Sequence, residues 1–271
     1  MLPAKNFGLF LLICLCCACD TMSSKSSGPG DIPIRFVDLQ KGEDCSYLVD
    51  INHELWKVNY LSFYLTEPEL KVEGRWVPLN FDENEWQSKK ASLLQFHNAC
   101  DASANNTHIQ LNTNVKLLAR ATSLRFSMGL PFKENHAPVA EQVAPLNNAA
   151  MFQSPRVGHS FMRLELQDAK NSTSIWSFML ASGNCQSEDS ETPPTVCQYP
   201  NRVTVELPMA QNVSNLRLNA RLTQLLFRAD LRAQAECNMA NPGSASCEKV
   251  MRNLTSREWL RWDAPDKVYL R

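Results

Sequence analysis

The chain has 271 residues, with 27 Lys and Arg against 28 Asp and Glu, a formal net charge of −1 at pH 7, and 44% hydrophobic residues. That length allows one large all-β domain or two small ones, and the absence of linker composition after residue 31 favours one. So even a charge balance leaves no field strong enough to hold a phosphate backbone, which argues against nucleic acid as a partner.

In chain order, residues 1–19 read as an export leader. Lys5 supplies the positive start, Phe7 to Ala18 form a short apolar core, and Cys14, Cys16, Cys17 and Cys19 crowd its end. The core is too short for a convincing membrane span. Leu15-Cys16-Cys17-Ala18-Cys19 resembles a bacterial lipobox, with Cys16 where leucine is usual, and implies lipidation of Cys19. An ordinary cleaved signal peptide is the alternative. Residues 20–31, rich in Ser, Gly, Pro and Lys, read as a flexible tether, and residues 32–255 as the folded domain, with 256–271 as a C-terminal extension. The expected location is the bacterial cell envelope, with the domain lipid-anchored and facing the periplasm.

Ile32 to Leu39 alternates as a first strand, and Tyr47 to Lys57 is polar and irregular. Tyr60 to Val72 predicts a longer strand, with Trp76 to Leu79 as its partner across the Glu73-Gly74 turn. Asn105 to Leu111, Ser123 to Met128, Phe161 to Leu166, Ser174 to Ala181 and Arg202 to Leu207 follow as short strands between turn-rich connections. Leu216 to Leu231 has helical spacing, and Ser244 to Arg252 reads as a second short helix. The expected fold is mainly β: an antiparallel sandwich or distorted barrel with long loops and one or two short helices, stapled by disulfides.

Of the ten cysteines, six lie beyond the leader: Cys45, Cys100, Cys185, Cys197, Cys237 and Cys247. An even number in an exported chain predicts disulfides. Short spacing favours Cys185 with Cys197 and Cys237 with Cys247, leaving Cys45 for Cys100, although spacing leaves other connectivities open. None of the six shows the Cys-x2-Cys spacing of a structural zinc site. Catalytic signatures such as Gly-x-Ser-x-Gly, His-Glu-x-x-His or a P-loop are absent too, so no enzymatic activity is expected.

The long connection between the strands ending at Met128 and beginning at Phe161 is the first place to seek function, because long ordered loops are usually functional. It carries Asn135-His136, Met151 and His159. Together with Leu61-Ser62-Phe63-Tyr64, Gly129-Leu130-Pro131-Phe132, Pro145-Leu146-Asn147, Leu180-x-Ser182-x-x-Cys185 and Cys197-x-x-x-Asn201-Arg202, the ordered series resembles the MbnP-like copper-binding proteins, the four-Cys "metallo-mystery pair" family, over roughly residues 33–250. The resemblance implies an exported β-rich protein that holds one copper through histidines and a kynurenine. That kynurenine is made from tryptophan by a dihaem partner of the MauG-like peroxidase type.

Asn135-His136 keeps the family pattern. The family's Met-x-Trp-x-Trp appears as Met151-Phe152-Gln153-Ser154-Pro155, its His-Leu-Gly-Ser as Met179-Leu180-Ala181-Ser182, and its Gly-Tyr as Gly158-His159. Neither tryptophan is therefore present for oxidation. Imidazole and thioether both suit Cu(I), so His136, His159, Met151 and Met179 form a candidate replacement set. Oxidation of Trp56, Trp76 or Trp86 instead would require that ring to lie near the His136 loop. The alternative function is a family member without metal that acts as a protein-interaction module. For the individual residues the bland reading is core packing for the methionines and loop pinning for the histidines.

Overall fold

Alternation along the strands decides which side chains go inside. In Met162–Asp168 the even-numbered residues are buried while Arg163, Glu165 and Gln167 stay half-buried, and in Val203–Pro208 the odd-numbered residues are buried and the others exposed. The computed structural model describes residues 28–209, 216–232, 237–240 and 245–263. The leader with Cys19, and most of the tether, lie outside the described residues.

One strand organises the rest. Glu54–Val72 runs for 19 residues and pairs along its first half with Tyr47–Ile51 and Met162–Asp168. Its second half pairs with Arg75–Pro78, Ala91–Gln95 and Ala121–Met128. Ala121–Met128 continues the sheet to Val203–Pro208, and Met162–Asp168 continues it through Ile175–Leu180 to the short parallel strand Cys237–Asn238. A second sheet runs in the order Leu260–Trp262, Leu218–Ala220, Asp31–Phe36, His108–Asn112, Asn80–Phe81. The stretch after residue 255, read above as an extension, thus contributes an edge strand. No barrel closes among the described residues, and the fold is β-sandwich-like. Phe81 of the second sheet stacks on Phe126 of the first with ring centroids 6.3 Å apart, in a core that also buries Trp56, Phe63, Trp176 and Phe178.

Two sequence expectations are corrected. Tyr47 to Lys57 is a hairpin, with Tyr47–Ile51 turning into the long strand through Asn52 and His53, both at positive φ (55° and 66°). Leu216 to Leu231 forms the strand Leu218–Ala220 and a single helical turn, Leu222–Leu225. Leu218, Ala220 and Leu222 are buried on the period-two count. Pairing on both edges of Leu218–Ala220 outweighs helical propensity. The Asp38 carboxylate then caps the turn, accepting from the Leu222 and Thr223 amides at 3.0 and 2.8 Å.

Disulfides Cys45–Cys100 and Cys185–Cys197 are formed as expected. Cys237 and Cys247, the third expected pair, are both buried.

Candidate metal centre

The long loop starts and ends on one residue of the central strand. The Gly129 amide donates to the Tyr64 carbonyl at 3.2 Å, and the Tyr64 amide donates to the Phe161 carbonyl at 2.8 Å. Tyr64 also sends its hydroxyl to the Pro145 carbonyl at 2.9 Å in mid-loop. Pro131, with its φ of −58° already near the helical value, precedes the one-turn helix Phe132–Asn135. The turn closes through the Asn135 amide on the Pro131 carbonyl at 2.9 Å and sets Asn135 and His136 side by side.

Asn135 is fully buried and joins the parts of the loop. Its Oδ1 accepts the His159 backbone amide at 2.8 Å, which assigns the other arm as the amide nitrogen. That Nδ2 donates to the Val157 carbonyl (3.2 Å), approaches Ser182 Oγ (3.3 Å) and lies 3.1 Å from His136 Nε2. Gly158, at φ +78°, closes the cage: a Cβ there would come within 2.5 Å of the Asn135 side chain and its backbone oxygen.

These contacts fix the His136 tautomer. Nδ1 faces the Pro155 carbonyl at 3.2 Å and must carry the proton, so Nε2 presents its lone pair, to the Asn135 amide and toward Cys197 Sγ at 3.4 Å. Burial holds the ring below the ordinary histidine range; the Pro155 carbonyl opposes this, and the neighbouring His159 reinforces it. A neutral imidazole with Nδ1–H on a backbone carbonyl and an unprotonated Nε2 is the usual form of a metal-ligating histidine, and a metal here would displace the Asn135 contact on that lone pair.

The other candidates lie differently. His159 is fully buried between the rings of Tyr64 and Phe152, with Nε2 2.8 Å from the Leu146 carbonyl and Nδ1 3.2 Å from the Asn135 carbonyl. Burial also lowers its pKa, against those two carbonyls. Both nitrogens face backbone oxygen, and in this arrangement His159 pins the loop. Met151 is fully buried in the core. Met179 lines a separate cleft with Gln153, Arg163 and Asn238. Of the four expected ligands, only His136 has a ring nitrogen not directed at a carbonyl.

What the structure does bring to His136 is the pair Cys185 and Cys197. The three ligand atoms lie within 4.8 Å of one another, with His136 buried and both cysteines partly exposed. The cysteines face each other across the ribbon formed by Gly183–Gln186 and Val196–Tyr199. The tip of that ribbon leans on the loop, where the Arg156 amide donates to the Ser190 carbonyl at 3.3 Å. The sequence favours a disulfide over a zinc site for the pair and gives no sign that it meets His136. The motifs Asn135-His136 and Cys197-x-x-x-Asn201-Arg202 were both visible, but no spacing says that they meet.

Asn201 and Arg202 take structural roles. Asn201 donates to the Ala181 and Met239 carbonyls at 2.8 and 3.1 Å, and Arg202 pairs with Glu67. Of the tryptophans considered above, Trp56 is fully buried and Trp76 lies under the Arg125 guanidinium. Trp86 shares a surface cleft with Pro145, Asn147 and Asn148 of the loop.

Among curated protein sequences none is similar enough to count as a relative. The structure of MbnP from Methylosinus trichosporium is similar in fold, with a TM-score of 0.64 at 19% identity, covering 82% of this chain and 86% of that one. A profile of the MbnP family matches residues 29–241, most of the domain and the whole of the His136 loop, and the chain belongs to that family.

Proposed function

We propose that the chain is a copper-binding lipoprotein of the bacterial envelope, acting in copper acquisition, storage or delivery rather than as an enzyme. Lipidated Cys19 would tether it to the membrane, with the domain facing the periplasm. A dihaem MauG-like partner is proposed from the family. The observation that carries the metal reading is His136. Its Nε2 lone pair is set by the Pro155 contact on Nδ1 and held within a loop built around buried Asn135. Bound there, copper would supply a redox-active centre, while the chain orients the imidazole and shields it from water.

The residues fit the metal in part. His136 is arranged as a ligand, whereas His159 and Met151 are occupied in packing, and Gln153 and Pro155 stand where the family has tryptophan. That arrangement favours the second reading, a family member that recognises a protein partner without metal.

Copper titration of the purified full-length chain under reducing conditions, against a competing Cu(I) chelator, separates the two. One copper held by the wild type and lost in His136→Ala supports the first reading. No copper in either protein moves the function to partner recognition.

A further inference from the structure

We infer that the Cys185–Cys197 disulfide gates the metal centre: once reduced, its two sulfurs join His136 Nε2 in a three-coordinate Cys2His site for Cu(I). The inference rests on the copper reading above and adds a ligand set and a control to it.

Proximity is the first argument. The three donor atoms already lie within 4.8 Å of one another, and Cys197 Sγ is 3.4 Å from the Nε2 lone pair. In a trigonal site with metal–nitrogen and metal–sulfur bonds of about 2.0 and 2.3 Å, neighbouring donors are about 3.5–4 Å apart. The His136–Cys197 edge therefore needs little adjustment, and breaking the sulfur–sulfur bond frees the third donor.

Chemistry gives the second. A disulfide is a poor ligand, whereas two thiolates and an imidazole form a soft set that selects Cu(I) over magnesium, calcium or manganese. Access gives the third. Both cysteines are partly exposed on a two-stranded ribbon whose other residues are mostly exposed, so a reductant reaches them without opening the core. The other described disulfide, Cys45–Cys100, has no histidine in such a cluster.

Reduction by a dithiol is balanced. The dithiol gives up two electrons and two protons and leaves as its own disulfide; the Sγ–Sγ bond breaks and two thiols form. Cu(I) then displaces the two thiol protons and takes both sulfurs with Nε2. A disulfide oxidant takes up two electrons from the two thiolates and two protons from water and leaves as a dithiol; the Sγ–Sγ bond re-forms, and the imidazole would be the one donor left to the metal.

The test uses the full-length chain, oxidised or reduced, titrated anaerobically with Cu(I) against a chelator and then alkylated and mapped by peptide mass. The expected result is one copper in the reduced protein that protects Cys185 and Cys197 from alkylation. That equivalent should be lost on oxidation and in His136→Ala. A Cys185→Ser/Cys197→Ser variant loses it as well, whereas Cys45→Ser/Cys100→Ser keeps it.

Oxidised wild type that binds as tightly as reduced, or copper that leaves both cysteines open to alkylation, overturns the gate. Either result leaves the copper reading standing if His136→Ala still loses the metal. Absence of binding in every state overturns both. The oxidised and reduced wild-type arms need no substitution, so a variant that fails to fold does not blur the result.

Discussion

Asn135→Ala is the most informative single substitution. The side chain is fully buried and accepts the His159 amide while donating to the Val157 carbonyl and approaching Ser182. Truncation leaves the buried His159 N–H without that acceptor, at about 1–3 kcal/mol, and removes a hydrogen bond to Val157 worth about 1 kcal/mol net. Together these give a loss of about 3 kcal/mol. For a domain of this size that lowers Tm by roughly 6–12 °C. Denaturant unfolding with disulfides intact measures it, compared with Asn135→Asp, which retains an acceptor for His159 but cannot donate to Val157. Both variants should be destabilised. A loss below about 1 kcal/mol for Asn135→Ala would refute the claim that this residue joins the loop together.

Further outcomes follow from the same geometry. Gly158→Ala should cost at least about 1–2 kcal/mol from its left-handed backbone alone. It should cost more in total, because the new Cβ meets Asn135, and equilibrium unfolding that finds the variant as stable as wild type refutes this. Asp38→Ala should cost about 1–2 kcal/mol through the lost cap on Leu222–Leu225, with an unchanged midpoint in denaturant as the contrary result. Burial holds both His136 and His159 below the ordinary value of about 6.5, so the unfolded chain binds protons first as pH falls. Their contribution is complete above that value and declines below it, until the folded-state values are passed. The loss of stability between about pH 7.5 and pH 5.5 should shrink in His159→Gln, and a loss of undiminished size refutes the assignment. Peptide mapping of the unreduced chain should recover Cys45 joined to Cys100 and Cys185 to Cys197, and a Cys237–Cys247 peptide decides the third expected pair.

The strands were legible because burial on one face repeats every second residue, as Met162, Leu164 and Leu166 show. The turn at Glu73-Gly74 was legible because glycine marks a positive φ, whereas Asn52-His53 adopts the same sign without one and hid a hairpin. Leu216 to Leu231 misled because its leucines satisfy two periods at once, and the neighbouring strands that choose between them come from residues 34–36 and 260–262. At the site, His136 was identifiable from its Asn-His motif. The engagement of His159 with two carbonyls was not, since those oxygens belong to Asn135 and Leu146 and carry no side-chain signature. The meeting of His136 with Cys185 and Cys197 depends on the ribbon folding back over the loop, a long-range event that no local pattern encodes.

The closure of the loop on Tyr64 has a dynamic consequence. Both ends are tied to the amide and carbonyl of one residue in the middle of the longest strand, so the loop cannot swing open as a flap while the central sheet stays intact. Amide hydrogens of Tyr64 and Gly129 should therefore exchange with solvent together, at rates set by global rather than local opening. A metal held at His136, if the proposed site is occupied, would then have to enter and leave from the ribbon side, where Cys185 and Cys197 are partly exposed.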